Sequence, residues 1–437
     1  MTRWILGAAG VLAVVAGGCW ISRPAPPAEA PATQPAAAVS LDWPGFRGPR
    51  GDGVAAPDAR PSLPTDAGIP VAWKTPVPAP GHSSPIVAAG LVMLTGEGHR
   101  ILAFDAATGE LRWDTALDAG PEPAPAEGQE AFAPGAYGIA VATPCTDGRC
   151  VYAMFADGVL GAVGLDGRQA WAVRVVDHPA NIYGMAASPL VHDGIVIQAI
   201  DLDAEETTDT AFRSFLVGLR AEDGTELWRT DRPTYPAWAT PLLTTEGERG
   251  EVITCAEPWV IAYDPADGKE LWRAGGARGE IAASPIADGA HLYAFGDPNG
   301  AILAIRRGGT GDITDTHIAW QVDMDVPEVP SGIADGQRVL FIDPMGVVRA
   351  VSAADGESLW RYDHGTTVYA SPVLAAQTLL VIDTDGELLA LDAATGELLG
   401  KMDLGEPVDA SPALAGGRIY VRTEQNLVCL EGTTNGQ

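Results

Sequence analysis

The segment AFDAATGELRW, residues 103–113, decides the fold because versions of it return along the whole chain. Each version ends one hydrophobic run, turns through Asp and Gly, and starts another run that contains a tryptophan. Asp caps such a turn with its own carboxylate, and Gly accepts the positive φ that the turn requires. Further copies stand at residues 219–228 and 262–272. Repeats of about 40 residues that are rich in short strands predict a β-propeller.

One complete repeat shows how a blade is built. Residues 369–374, 378–382, 387–391 and 397–404 are hydrophobic runs, and they are separated by short polar or glycine-containing turns. A proline stands near the start of the first run, where a missing ladder donor matters least. Four such strands make one antiparallel propeller blade.

Two series of residues count the blades. A Ser/Thr–Pro pair opens the first strand, with one degenerate copy at Ser331–Gly332, and a tryptophan marks the fourth strand. The eighth tryptophan would fall at Gly400 and has been lost. The Ser/Thr–Pro pairs begin at Ser84, Thr143, Ser188, Thr240, Ser284, Ser371 and Ser411. The tryptophans are Trp73, Trp113, Trp171, Trp228, Trp272, Trp320 and Trp360.

The two series are offset, and the offset predicts how the ring closes. Trp73 precedes the first Ser/Thr–Pro pair, whereas the last repeat stops after its third strand near Leu430. An N-terminal strand around Trp73 would complete the C-terminal blade and remove an exposed sheet edge. The predicted fold is therefore all-β: an eight-bladed propeller of four-stranded antiparallel blades closed by that strand.

The N-terminus reads as a targeting segment. Arg3 precedes a short apolar run that ends at Ala16–Gly17–Gly18–Cys19, which resembles a bacterial lipobox with Cys19 as the lipidated residue. An ordinary signal peptide and an uncleaved anchor are the alternatives, and each places the body outside the cytoplasm. We expect a signal peptide at 1–18, an Ala/Pro-rich tether at 19–42, one propeller at 43–432 and a tail at 433–437.

Charge and cysteine content narrow the functional classes. A net charge of −30 argues against a nucleic-acid partner, because phosphates would be repelled. Cys145 and Cys150 flank an Asp–Gly turn, and we expect them to face each other in a hairpin and form a disulfide. Cys255 and Cys429 lie in apolar runs and read as buried free thiols.

The turn-plus-tryptophan repeat resembles the tryptophan-docking repeat of the pyrroloquinoline-quinone (PQQ) propeller family. The resemblance extends from about Trp43 to Leu430, and it implies that each tryptophan wedges between adjacent blades. Residues 43–49 also resemble a segment that precedes such repeats in envelope proteins. The family includes quinoprotein dehydrogenases, which bind PQQ with calcium, and non-catalytic envelope scaffolds similar to the lipoprotein BamB.

The sequence lacks the usual signs of catalysis. The resemblance to dehydrogenases implies an adjacent Cys–Cys pair, which this chain does not have. The seven histidines show no metal-ligand spacing, and no Gly-x-Ser-x-Gly elbow is present. The acidic stretches at 201–203 and 383–387 fit β-turns better than calcium loops. We therefore expect no cofactor and no catalytic or metal site, with PQQ and calcium as the alternative.

Function is expected where the repeat is interrupted. Insertions at 118–136, 203–213 and 306–317 lengthen connections that often form propeller binding surfaces, although simple loop drift fits them equally well. Aromatic residues also precede the Ser/Thr–Pro strands, where they would line the channel mouth and bind a ligand, or else pack the inner rim. These residues are Tyr137, Tyr183, Tyr235, Trp238 and Tyr369.

The sequence thus predicts a non-catalytic scaffold of the bacterial cell envelope that faces the periplasm or is exported, with envelope proteins or peptides as partners. Only the lipid on Cys19 would bind it to a membrane, the outer membrane being the expected one. A PQQ-dependent oxidoreductase or its relic is the first alternative. A propeller that binds or cleaves glycans is the second.

Overall fold

A computed structural model describes residues 40, 42–56, 64, 68–124, 135, 137–177, 181, 183–203, 212–246, 249–297, 300–323 and 326–431. The predicted signal peptide, Cys19, most of the tether and the tail lie outside these residues. Val39–Gln437 form one compact unit. Within the described part of the chain, no helix has the length and apolarity needed to cross a membrane.

The described residues form the predicted eight-bladed propeller, with eight sheets whose chain neighbours pair antiparallel. The strands of each blade are called A to D outward from the channel. Blade 1 contains β2 (Ile86–Ala88), β3 (Leu91–Gly96), β4 (Arg100–Asp105) and β5 (Leu111–Ala116), and blade 2 contains β6 (Cys145–Thr146), β7 (Cys150–Met154), β8 (Val159–Gly164) and β9 (Gln169–Arg174). Blade 3 contains β10 (Leu190–His192), β11 (Ile195–Ile200), β12 (Phe215–Arg220) and β13 (Glu226–Asp231), and blade 4 contains β14 (Leu242–Glu246), β15 (Arg249–Ala256), β16 (Trp259–Tyr263) and β17 (Glu270–Gly275).

Blades 5 to 8 continue the ring. Blade 5 contains β18 (Ile286–Ala287), β19 (His291–Phe295), β20 (Ile302–Arg306) and β22 (Ile318–Val322), and blade 6 contains β23 (Ile333–Ala334), β24 (Arg338–Ile342), β25 (Val347–Ser352) and β26 (Ser358–Asp363). Blade 7 contains β27 (Val373–Ala375), β28 (Thr378–Ile382), β29 (Glu387–Asp392) and β30 (Leu398–Asp403). Blade 8 contains β31 (Ala413–Ala415), β32 (Arg418–Arg422), β33 (Asn426–Glu431) and, as its last strand, β1 (Val71–Pro76).

The meander order gives the ring two distinct faces. Connections from strand D to the next strand A, and the turns between strands B and C, lie on one side, which we call the entry face. The A–B and C–D turns lie on the other side, the exit face. Strands B and C are largely buried, whereas strands D carry most of the exposed residues.

The Ser/Thr–Pro signature is explained by a closed belt of hydrogen bonds around the channel. In each blade the backbone N–H of the Ser or Thr donates to the side-chain hydroxyl of its counterpart in the next blade, and Ser411 returns to Ser84 at 3.0 Å. The degenerate copy at Ser331 also belongs to the belt. The eight bonds span 2.8–3.0 Å, and their residues, the hydroxyl belt, are Ser84, Thr143, Ser188, Thr240, Ser284, Ser331, Ser371 and Ser411.

Removing one hydroxyl from the belt should destabilise the ring. In Ser188→Ala the buried N–H of Thr143 loses its acceptor, which should cost about 1–3 kcal/mol of unfolding free energy. Urea denaturation followed by circular dichroism measures the loss. Ser188→Thr keeps the hydroxyl, as the native threonines of the belt do, and should retain most of the stability; equal losses in both variants would disprove this role of the belt.

The fourth-strand tryptophans lie between blades. Trp171 rests on Gly224 of the next blade, where a Cβ atom would stand 2.7 Å from the ring, and its Nε1 donates to Ala221 O at 2.9 Å. The same contact with a turn glycine occurs for Trp73, Trp113, Trp228, Trp320 and Trp360. Each glycine is therefore needed both for its positive φ and for its missing side chain.

The vacancy at Gly400 also has a structural reason. The N-terminal segment passes over this position, and a Cβ atom at Gly400 would stand 1.9 Å from Pro64 O. A little farther along, Ile69 N–H donates to Met402 Sδ at 3.4 Å. The N-terminal segment thus covers the place that the eighth tryptophan would need.

The predicted closure of the ring is confirmed. β1 pairs antiparallel with β33, with Trp73 opposite Cys429, so the two ends of the propeller share blade 8. Glu406 joins the closing strand to its blade: Lys74 Nζ lies 2.7 Å from its carboxylate, and Thr423 and Asn426 donate to the same group. These contacts connect three segments of blade 8.

Because of the Glu406 carboxylate, we expect the stability of the closed ring to depend on pH. Burial acts to raise the pKa of Glu406, but the bonds from Lys74, Thr423 and Asn426 outweigh it and bring the pKa to about 2. Since an unfolded Glu titrates at about 4.3, its contribution is complete above that pH and is lost as the pH falls toward 2. Acid titration of stability should show a smaller loss in Glu406→Gln than in the wild type; identical profiles would contradict this.

The insertion at 306–317 is structured. It forms β21 (Gly311–Asp312) and the short helix α1 (Thr314–His317), and β21 adds to β17 as a parallel fifth strand. Gly311 stands opposite Trp272 in this pairing, but a Cβ atom at Gly311 would meet nothing within 4 Å, so Gly311 is not a docking glycine. The buried Trp272 instead donates its Nε1–H to Glu251 Oε2 at 3.4 Å. For the other two insertions, most of 118–136 and 203–213 lies outside the described residues.

The N-terminal residues 43–54 form a channel plug. Trp43 pairs with Val87 of blade 1, and Ala55 N–H, directly after the plug, donates to Leu374 of blade 7. Between these ends the buried Arg47 donates to Gly332 O of blade 6. The plug therefore lies across the first strands on the exit-face side of the belt, a position that the sequence did not predict.

The predicted disulfide between Cys145 and Cys150 is wrong. Cys145 pairs with Tyr152 and Thr146 with Val151, so a four-residue turn replaces the expected two-residue turn, and Cys150 is not opposite Cys145. Both residues are free thiols, and burial raises the pKa of Cys145. Cys255 and Cys429 are buried free thiols, as predicted.

Candidate functional site

Exposed hydrophobic side chains single out the entry face. Among the described residues, every large exposed hydrophobic lies either on this face or in an outer strand D. An exposed apolar group collected on one face is typical of an interaction surface. The entry-face members are Tyr137, Tyr183, Phe212, Tyr235, Val329, Met345 and Tyr369.

The predicted aromatic residues lie on loops from different blades, and the structure brings four of them together. Tyr183 and Tyr369 both lie close enough to Tyr137 to contribute to the raised pKa of its hydroxyl. Tyr183 and Trp238 are in edge-to-face contact, with ring centroids 5.1 Å apart. We call Tyr137, Tyr183, Trp238 and Tyr369 the aromatic mouth.

Tyr235 lies outside this group. Its ring is in edge-to-face contact with Phe212 at 5.3 Å, and no ring contact among the described residues joins it to the aromatic mouth. Phe212 had not been singled out in the sequence, because it stands at the end of the polar insertion 203–213. The pair adds a second exposed aromatic surface on the same face.

Asn181 fixes one side of the aromatic mouth. Its Oδ1 accepts bonds from Trp238 Nε1 at 2.9 Å and from Tyr183 N–H at 3.1 Å, and its Nδ2 donates to Asp201 O at 2.9 Å. Every polar atom of the Asn181 side chain is therefore engaged. This buried residue connects the two rings to the B–C turn of blade 3.

A buried ion pair supports that turn. Arg232 Nη1 donates to Asp201 Oδ1 at 2.6 Å, and both side chains are almost completely inaccessible to solvent. The pair is at the base of the entry face, below Asn181. Its position indicates a structural role, since solvent and ligands reach neither charge.

Four carboxylates accompany the aromatic mouth, and we call Asp203, Glu280, Glu328 and Asp409 the acidic rim. Glu280 directly precedes Ile281, whose carbonyl accepts the Trp238 N–H, and Asp203 follows closely after Asp201, whose carbonyl accepts from Asn181. Glu328 directly precedes the exposed Val329 of the same face, and Asp409 contacts His82. Burial raises the pKa of Tyr137, and the charges of Tyr369, Asp409, Tyr183 and Glu328 raise it further. Burial and the nearby Glu280 raise the pKa of Asp203. Residues from several blades thus meet in one negatively charged aromatic environment.

His82 connects the rim to the aromatic mouth. Its Nδ1 lies 3.2 Å from Asp409 Oδ2, and its ring is in edge-to-face contact with Tyr137 at 5.3 Å. The sequence did not indicate this contact, because His82 and Asp409 belong to the first and last blades of the ring.

Within the part of the chain that the structure describes, one further group has metal-ligating atoms close together. His364, Asp383 and Glu387 can place one ligand atom each within 4.8 Å of one another. Their contacts favour an ion-pair network, because His364 Nε2 lies 2.7 Å from Asp383 and Lys401 donates to Glu387 at 2.7 Å. Asp383 Oδ1 also accepts Glu387 N–H, which is the turn that the sequence predicted for this acidic stretch.

Solved structures share this fold. BamB from Moraxella catarrhalis matches with 15% identity and a TM-score of 0.62, over 84% of this chain and 99% of its own. The quinohemoprotein alcohol dehydrogenase from Comamonas testosteroni matches with 14% identity and a TM-score of 0.66, over 91% and 82%. Such low identities show the fold alone. No curated protein sequence matches the chain.

A family profile gives a more specific result. The profile described as outer membrane protein assembly factor BamB matches residues 70–199, 213–343 and 344–436, which is most of the chain. These ranges begin at the closing strand and include all eight blades. The chain belongs to this family of PQQ-like repeat propellers.

Proposed function

We propose that the protein is a non-catalytic scaffold of the cell envelope, anchored by lipid on Cys19, that binds partner proteins through its entry face. The collection of exposed aromatic and apolar residues on that face is the observation that carries the proposal. The hydroxyl belt and the inter-blade tryptophans support it, because they hold the loops that present those residues.

The side chains described at the mouth do not fit PQQ with calcium. Asn181 has no free polar atom, and Asp201 is neutralised by Arg232, so neither has a free group for a calcium ion. The acidic rim would repel a quinone that carries carboxylates. We therefore assign no reaction step to this group.

The oxidoreductase alternative has a direct test. The purified protein is titrated with PQQ and calcium, its absorbance is recorded, and oxidation of alcohols is followed with an artificial electron-accepting dye. We expect no bound quinone and no turnover. Measurable turnover would contradict the proposal that the protein is a non-catalytic scaffold.

Partner binding is tested with matched double variants. Tyr183→Ser/Tyr369→Ser removes two exposed rings of the aromatic mouth, and Leu227→Ser/Leu359→Ser removes two exposed side chains of outer strands. Affinity capture from envelope membranes should lose its specific partners with the first variant and keep them with the second. Equal capture by both would place the interaction elsewhere.

The anchor predicts a separate result. Cys19→Ser removes the only proposed acceptor of lipid, so labelled fatty acid should no longer be incorporated and the protein should leave the membrane fraction. The wild-type chain analysed in parallel gives the reference distribution. Membrane retention of the variant would favour an uncleaved N-terminal anchor.

A further inference from the structure

We propose that the partner segment bound at the aromatic mouth is an extended stretch of polypeptide rich in arginine and lysine. This inference rests on the proposed scaffold function and specifies the chemistry of its partner. It is carried by the acidic rim beside the exposed rings, and by the channel plug that closes the other side of the ring.

The charges at the mouth favour a cationic partner. Glu280 and Glu328 are exposed, Asp203 and Asp409 are partly exposed, and none of these four carboxylates forms an ion pair with a described Lys or Arg side chain. His82 contacts Asp409, and Arg278 is an exposed cation on the loop of Glu280. Excess negative charge on a surface attracts a basic segment and repels an acidic one.

The aromatic rings suit the same chemistry. Tyr183 and Trp238 hold each other edge to face, as do Tyr137 and His82, so little ordering is needed when a ligand binds. Ring faces attract guanidinium and ammonium groups, and an adjacent carboxylate strengthens that attraction. An aromatic mouth with an acidic rim can therefore hold several Arg or Lys side chains.

The geometry also indicates how the segment lies. The mouth is built by loops from several blades, so a ligand must extend across the entry face to contact all of it. Residues 43–54 close the exit-face side through contacts with blades 1, 2, 6 and 7. The segment thus lies on the face and does not pass through the ring.

Fluorescence anisotropy with labelled peptides tests the inference on the full-length protein. Three peptides share one length and a Gly/Ser spacing, and carry Arg/Lys, Gln or Glu at the remaining positions. We expect binding of the basic peptide alone. Raising NaCl from about 0.05 M to about 0.5 M should weaken it at least about tenfold, because exposed charges are then screened.

Matched variants locate the binding site. Glu280→Gln/Glu328→Gln should weaken binding about tenfold, since two exposed attractions are lost. Tyr369→Leu keeps an apolar side chain but loses the ring face, and it should weaken binding about twofold to fivefold. Arg278→Glu should strengthen it. The control Glu222→Gln/Glu397→Gln removes two exposed carboxylates of the exit face and should bind like the wild type.

The possible results separate this inference from the proposed function. Equal binding of the three peptides, or equal losses in the rim and control variants, would overturn the inference. So would a mouth that binds only neutral oligosaccharides. If no basic peptide binds but the Tyr183→Ser/Tyr369→Ser variant still loses captured partners, the proposed scaffold function is retained and the proposal of a basic partner segment is rejected. Quinone-dependent turnover would overturn the scaffold itself.

Discussion

Replacing Trp171 with alanine is expected to lower the free energy of unfolding by about 3–5 kcal/mol, because the change leaves a large cavity between blades 2 and 3. The ring is buried, packs on Gly224, and donates its Nε1–H to Ala221 O. Alanine removes both the packing and the hydrogen bond. Urea denaturation monitored by circular dichroism measures the difference.

Two variants make that measurement specific. Trp171→Phe keeps an aromatic ring but loses the hydrogen bond, so its stability should be intermediate. Leu227→Ala truncates an exposed residue of another strand D and should change the unfolding free energy by less than about 0.5 kcal/mol. A Trp171→Ala loss as small as that of Leu227→Ala would show that the docking contact contributes little.

Breaking the buried ion pair should have an effect of similar size. Arg232→Met leaves the carboxylate of Asp201 buried without its cation, and such a change costs about 3–5 kcal/mol. The turn that holds Asn181 should loosen as well, because Asn181 Nδ2 donates to Asp201 O. Denaturation gives the stability loss, and near-UV circular dichroism reports the order of Trp238 and Tyr183.

The sign of the pH dependence identifies the cause. Without Arg232, burial raises the pKa of Asp201, so the variant is most destabilised at neutral pH and regains stability as the pH falls and the carboxyl is protonated. Arg232→Met/Asp201→Leu removes both charges and should recover most of the loss. A single variant whose loss does not change with pH would exclude an unpaired carboxylate as the cause.

The repeat made the propeller predictable. Turn glycines, fourth-strand tryptophans and Ser/Thr–Pro pairs are local signals that occur in nearly every blade, so their count gives the ring and their offset gives the closing strand. The prediction of a disulfide was wrong because it, too, rested on a local signal. One extra pair of turn residues moves Cys145 opposite Tyr152, and the Asp–Gly pair alone does not reveal that register.

Contacts between distant parts of the chain were harder to predict. The aromatic residues could be found because they occupy equivalent loop positions, whereas Glu328, Asp409 and His82 become neighbours only when the ring is closed. The contacts of Pro64 with Gly400 and of Arg47 with Gly332 likewise join residues that are far apart in the sequence and meet only in the closed ring. A single sequence shows the missing tryptophan but not the segment that replaces it.

The shared blade also has a consequence for biosynthesis. Among the described strands of the propeller, residues 71–76 are made first and residues 426–431 last, so the first strand has no partner until the other blades have been synthesised. During that interval its edge is open to mispairing, and contacts of such long range form slowly. A chain that terminates early cannot complete the ring, which makes closure a checkpoint between full-length and truncated products.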